Sequence, residues 1–184
     1  MERQFPGGRI LNLMVGDITR IPADAIVNAA NSALAGGGGV DGAIHRAGGP
    51  TIMQQLDRIR AGTGGCPTGS AVVTTAGILS ARFIFHAVGP VYRSGKSGEP
   101  EQLASCYRTC LALAEKHGAE TISFPSISTG AYRYPIRDAA QIALREVMQH
   151  LSAEDKKVRQ VVFVLFSDAD YQVYANCLET GATG

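Results

Sequence analysis

Apolar positions along this chain follow two alternating rhythms. Short runs rich in β-branched residues, Arg9–Val15, Ala25–Ala29, Ala71–Thr75, Phe83–Val88, Thr121–Phe124 and Val161–Phe166, predict strands. The last of these is apolar at every position instead of every second one, as in a strand covered by helices on both faces. Between them lie helical patterns: Gly42–Ala47 running into Pro50–Ala61, then Glu101–His117, Ile136–Leu151 and Asp170–Leu178. Within Glu101–His117, Leu103, Cys106, Tyr107, Cys110, Leu111 and Ala114 recur at three- and four-residue steps and form one buried stripe. Strands alternating with helices predict βαβ crossovers and a three-layer α/β/α fold around a mixed, mostly parallel sheet.

Composition narrows the picture. At 184 residues the chain is expected to form a single domain, with its core at about residues 9–178 and a frayed tail over 179–184. Apolar residues make up 45% and charged residues 18%, an ordinary globular balance. The formal net charge is +1 and no Lys/Arg run exceeds two, so a non-specific grip on a nucleic-acid backbone is not supported and phosphate recognition must be local. Met1–Leu13 is polar and Gly-containing without an apolar signal core, and no stretch approaches eighteen uninterrupted apolar residues. A cytoplasmic location, no membrane partner and a monomer are the expectations. The cysteines, Cys66, Cys106, Cys110 and Cys177, include no CxxC pair, which argues against a disulfide framework or a zinc ribbon and for small buried hydrophobes.

Four loops hold the residues that a simple core does not need, and each follows a predicted strand, where ligands collect in open α/β sheets. In Gly16-Asp17-Ile18-Thr19, Asp17 is either a turn-capping acid or an acceptor for an exocyclic amine. In Asn28–His45, the consecutive glycines Gly36, Gly37, Gly38 and Gly39 precede Val40 and Asp41; bare backbone there lets N–H groups approach a phosphate, aided by the dipole of a helix opening at Gly42. No Walker lysine follows, and no Rossmann spacing is present. Asp41 reads as a helix N-cap, as a group acting on a ligand or water, or as both. Asn31 reads as a turn residue or, with Asn28 at the same strand end, as a group suited to sugar hydroxyls, while His45 lies one turn beyond Asp41 and reads as a packing or supporting histidine. In Pro125–Pro135, Ser128, Thr129, Gly130, Ala131 and Tyr132 offer a second run of backbone donors, and two phosphate-suited loops imply a diphosphate. Tyr132 and Tyr134 either pack or line the site. Phe166, at the end of the last strand, is either core or a platform for a base.

With these loops together, the chain resembles the macrodomain family, in its MacroD-type branch of ADP-ribosylhydrolases. The matching stretches are Gly16–Thr19, Asn28-Ala29-Ala30-Asn31, Gly36–His45, Cys66–Ala71, His86–Pro90 and Ser126–Gly130, within a resemblance covering about residues 9–178. The resemblance implies that Asp17 holds the adenine amine with Ile18 adding a backbone contact, that Phe166 stacks on adenine, and that Gly36–Val40 and Ser128–Tyr132 cradle the diphosphate. It implies that Asn31 and Asp41 face the distal ribose, and that ADP-ribose is released from modified acidic side chains or from O-acetyl-ADP-ribose without a metal or cofactor. Ala131 and Arg133 depart from the branch, which usually carries a larger aliphatic residue and a glycine there, so Arg133 either strains the loop, if its φ is positive, or reaches the diphosphate or a protein substrate. A reader that binds ADP-ribose without cleaving it and a phosphatase acting on ADP-ribose 1″-phosphate are the alternatives. A Cys66 hydrolase is a remote third, for lack of a His/Asn partner in the sequence.

Overall fold

The structure, a computed structural model, describes residues 1–181. Seven strands, β1 (Glu2–Phe5), β2 (Arg9–Val15), β3 (Ala25–Ala30), β4 (Ala71–Thr75), β5 (Phe83–Val88), β6 (Thr121–Phe124) and β7 (Gln160–Leu165), form one sheet in the order β1-β2-β7-β6-β3-β5-β4. The pairs β1/β2 and β4/β5, at the two edges, are antiparallel; the other four are parallel. The helices are α1 (Gly39–Gly48), α2 (Thr51–Thr63), α3 (Glu99–His117), α4 (Ile136–Ser152) and α5 (Asp168–Thr180).

Strand β7 explains its own composition. Val161, Phe163 and Leu165 point into one core with the stripe of α3 and the inner faces of α4 and α5, while Val162 and Val164 point into a second core with Ile44 of α1 and with Ile52 and Leu56 of α2. Both faces are covered, so nothing along the strand needs to be polar. The result is the expected three-layer α/β/α architecture with a mixed, mostly parallel sheet.

Differences from the sequence reading lie at ends. Strand β1 was not predicted: Glu2-Arg3-Gln4-Phe5 alternates exposed and half-buried positions, and antiparallel pairing with β2 holds it in the sheet. Helix α1 starts at Gly39, not Gly42, with Gly38 as N-cap, so Asp41 is its third residue and not its cap. Helix α3 begins two residues earlier than expected, and α5 continues to Thr180, into the stretch expected to fray; residues 182–184 of that stretch lie outside the described residues. Strand β7 stops at Leu165 and leaves Phe166 beyond the sheet.

Candidate active site at the carboxyl ends of the strands

Because β2, β7, β6, β3 and β5 are parallel, the segments that follow them share one rim in that spatial order. At ~4.8 Å per strand, the step from β2 to β3 spans roughly 14 Å, room for an elongated ligand lying across the strand ends. In open α/β sheets the crevice that takes a ligand runs along such a rim. A separate hollow of about 470 Å³, lined by Asn12, Ile21, Thr121 and Gln160 among others, lies at the amino ends of β6 and β7 and holds none of the candidate residues.

At one end of the crevice, the Gly16 N–H donates to the Leu165 carbonyl at 3.0 Å, which brings Asp17 and Phe166 side by side. The Phe166 ring is 94% exposed, which overturns its reading as core. Asp17 caps the short 3-10 turn Ile18–Arg20: its Oδ1 accepts from the Thr19 hydroxyl at 2.7 Å and the Thr19 N–H at 3.0 Å, which holds the carboxyl below its ordinary value. The cap uses only Oδ1. Ile18 buries its side chain, so it offers the crevice only backbone.

The Gly-rich loop is shaped by Asn31, whose Oδ1 accepts from the Ala35 N–H at 3.1 Å and whose Nδ2 donates to the Gly36 carbonyl at 2.8 Å. Gly36 and Gly39 turn the chain through positive φ, 79° and 58°. The Gly42 N–H donates to the Gly38 carbonyl at 3.1 Å; the N–H groups of Gly39, Val40 and Asp41 precede it in the first turn, where an α-helix offers them no acceptor, so they are available to an anion. Asp41 is buried, and its Oδ1 accepts from Asn28 Nδ2 at 2.7 Å. His45 Nε2 lies 3.2 Å from the same oxygen without the alignment of a hydrogen bond. The other oxygen, Oδ2, lies on the loop side: a methyl group built on Gly37 would lie 3.6 Å from it and 4.0 Å from Asn31 Nδ2. Asp41 Oδ2 and the Asn31 amide thus both lie beside Gly37.

Asn28 is fully buried, which rules out the direct grip on a sugar hydroxyl read from the sequence. It pairs in register with His86 on β5, whose Nδ1 is 3.1 Å from Asn28 Nδ2 and whose Nε2 is 2.8 Å from Thr74 Oγ1. Burial, and secondarily His45, holds the His86 imidazole down to about 3, so it is neutral. Sequence reasoning missed this row. Its signal was there: Asn28 and His86 each interrupt an otherwise apolar strand.

The loop after β6 is braced by hydrogen bonds from the Tyr134 N–H to the Ser128 carbonyl (2.9 Å), the Arg133 N–H to the Gly130 carbonyl (3.0 Å) and Thr129 Oγ1 to the Ser126 carbonyl (3.1 Å). Ser128 has φ 67° and buries its hydroxyl over Gly89, where any Cβ would overlap it, so this residue offers only backbone. Gly130 and Ala131 form the exposed tip, Tyr132 is half-buried, and Tyr134 is core, with its ring centroid 4.9 Å from that of Tyr92. Arg133 does have positive φ, 59°. The Tyr92 N–H donates to the Tyr132 carbonyl at 2.9 Å and ties this loop to residues 90–98. That neighbour is folded around Glu99, whose carboxylate accepts from the N–H groups of Arg93, Ser94, Gly95 and Ser97 at 2.7–3.2 Å; led by Ser94, these bonds hold it at about 2. Glu99 was also missed.

Cys66 is buried and its thiol is pushed up by burial, the reverse of what a cysteine nucleophile needs. Among the described residues no three His, Cys, Asp or Glu side chains gather as metal ligands, and no helix is long and apolar enough to cross a membrane.

Residues 27–143 match the Macro domain family. A macro domain-containing protein of Caldanaerobacter subterraneus is 54% identical over 92% of this chain and 95% of its own length. A protein of Pantoea vagans named O-acetyl-ADP-ribose deacetylase 2 is 48% identical over 91% of this chain and 98% of its own. The macrodomain of Oceanobacillus iheyensis, solved with ADP and, as a variant, with ADPR, superposes with a TM-score of 0.93 at 42% identity; the ADP form covers all of this chain and 96% of its own.

Proposed function

The chain belongs to the macrodomain family, and from that premise we propose that it binds ADP-ribose along the crevice and hydrolyses ADP-ribosyl esters, both O-acetyl-ADP-ribose and mono-ADP-ribosyl groups on acidic side chains. Adenine lies on Phe166 with its amine at Asp17. The diphosphate lies between the first turn of α1 and the loop Ser128–Tyr132, held by backbone N–H groups. That use of backbone fits a chain whose net charge is only +1. The distal ribose then reaches Asn31 and Asp41. The names of relatives and the ligands of the solved macrodomain support this reading.

One observation carries the hydrolytic part: Asp41 is buried with one oxygen tied to Asn28 and the other left on the loop side, beside Gly37 and the Asn31 amide. A pure reader has no need of such a fixed acceptor. In the reaction, Oδ2 accepts a hydrogen bond from a water, whose oxygen attacks the ester. The ester bond breaks, the ribose oxygen takes a proton, and the products are ADP-ribose and the free acid. Asn31 keeps one N–H for the ribose while its other bonds set the loop.

The test is release of ADP-ribose from O-acetyl-ADP-ribose and from an ADP-ribosylated acidic protein. Asp41→Ala is expected to lose about 10²–10⁴ in rate. Its affinity for ADP-ribose stays within roughly tenfold of wild type, the worth of about one polar contact. A folded Asp41→Ala that cleaves at the wild-type rate refutes the mechanism. A wild-type protein that binds ADP-ribose and cleaves neither substrate is a reader.

A further inference from the structure

We infer that His86 and Thr74 are positioning residues for the proposed hydrolysis: acting through Asn28, they fix the direction of the hydrogen bond that holds Asp41. This rests on the reading of Asp41 given above. Thr74 Oγ1 lies 2.9 Å from the carbonyl oxygen of Thr75, a group that only accepts, so the hydroxyl proton goes there and Oγ1 must accept from His86 Nε2 at 2.8 Å. His86 is neutral and therefore carries its proton on Nε2, which leaves Nδ1 as an acceptor. Nδ1 faces Asn28 Nδ2 at 3.1 Å, and that NH2 group places its second hydrogen on Asp41 Oδ1 at 2.7 Å. Four buried groups in a row thus take their orientation from one backbone carbonyl.

The alternative arrangement shows what the row prevents. Asn28 Oδ1 is buried with no partner, so the Asn28 amide gains nothing locally from its present orientation except through Nδ2. If the imidazole proton moved to Nδ1, it would donate to the amide oxygen once that amide flipped. The flipped oxygen would then stand against Asp41 Oδ1, and the carboxylate would lose its tether. Of the other groups nearby, His45 has its ring centroid 6.2 Å from that of His86 and its Nε2 3.2 Å from Asp41 Oδ1, unaligned. It does not replace the Asn28 bond. A row of polar side chains crossing an apolar sheet face costs stability unless every member is satisfied, and one oxygen here is not.

The experiment uses two substitutions at Thr74 whose order separates positioning from packing. Thr74→Val keeps the shape and removes the acceptor; Thr74→Ser keeps the acceptor and removes a methyl group. Positioning predicts that Thr74→Val loses roughly tenfold or more in kcat, by misplacement of a reacting group, with KM for O-acetyl-ADP-ribose nearly unchanged, and that Thr74→Ser stays near wild type. His86→Phe, which keeps a ring and removes both nitrogens, should match Thr74→Val. Nitrogen NMR of the histidine ring supplies a readout that needs no turnover: wild type and Thr74→Ser show His86 as the neutral Nε2–H tautomer, and Thr74→Val shows Nδ1–H. The reverse order of kcat at Thr74, or an Nδ1–H tautomer in wild type, overturns the inference. Absence of hydrolysis by wild type refutes the parent reading instead, and the tautomers then decide the hydrogen-bond row by themselves.

Discussion

Replacing Phe166 with alanine separates binding from folding more cleanly than any other change in the crevice. At 94% exposure the ring is covered by nothing in the protein, so its loss should move unfolding free energy by no more than about 0.5 kcal/mol. A base stacked on that ring contributes roughly 1–3 kcal/mol. With each 1.4 kcal/mol worth a factor of ten, ADP-ribose should bind about 5- to 150-fold more weakly. The hydrogen bond from the Gly16 N–H to the Leu165 carbonyl is backbone and survives the substitution, so Asp17 stays in place and the whole loss belongs to stacking. Calorimetry with ADP-ribose and with AMP gives the sharper form, because both carry the same adenine: the two dissociation constants rise by one common factor, and Phe166→Tyr recovers most of it. AMP should bind more weakly than ADP-ribose throughout, since it reaches only part of the diphosphate cradle. Unchanged constants, or a drop in melting temperature matching the loss of affinity, would refute the placement of adenine.

Glu99→Gln puts an amide N–H among N–H donors, so hydrogen exchange over residues 93–97 should quicken and ADP-ribose affinity fall several-fold through the Tyr92–Tyr132 bond; unchanged exchange would show that the staple is dispensable. His86 sits at about 3 against an ordinary 6.5, so the folded state takes up its proton later than the unfolded chain: stability is full above 6.5 and falls as pH drops toward 3, by roughly 5 kcal/mol in all. Urea unfolding at several pH values checks this, and His86→Phe should flatten the decline. Glu99 acts with the same sign lower down, its stabilisation complete above the usual 4.5 and lost as pH falls toward about 2. Arg133 holds φ 59°, a conformation that costs a side chain ~1 kcal/mol or more, so Arg133→Gly should raise the melting temperature by about 2–4 °C; a lower value would mean that the side chain has a partner worth more than the strain.

The layers of the fold were legible because hydrophobic periodicity reports burial directly. An all-apolar run such as β7 has one explanation, two covered faces. Strand β1 was not legible for the converse reason: of its two half-buried positions one is Arg3, whose guanidinium lies over the Phe5 ring and reaches Met148 Sδ and the Leu178 carbonyl, so only Phe5 brings an apolar side chain to the core. The loops were visible through their cost, since consecutive glycines and a run of small hydroxyl residues are poor choices for stability alone. What each residue contributes was less legible. Asn31 was read as a turn residue or as a grip on a sugar hydroxyl, and it commits most of its amide to the loop; Ser128, read as a backbone donor, buries its hydroxyl. A loop residue's hydrogen-bond partner depends on where the chain returns, and composition does not encode that.

The proposed ligand contacts come largely from backbone, so they leave glycines and turns as their trace and no charged signature. The one buried acid that faces the proposed reaction is held by side chains that lie inside strands, where an apolar residue would pack better. Asn28 and His86 lower the cohesion of the sheet face they cross, and their shared register makes that loss contiguous. A fold selected for stability alone would replace both. Their presence opposite each other, directly behind Asp41, is the physical reason to treat the two mid-strand polar positions as part of the chemistry and not as tolerated defects in the core.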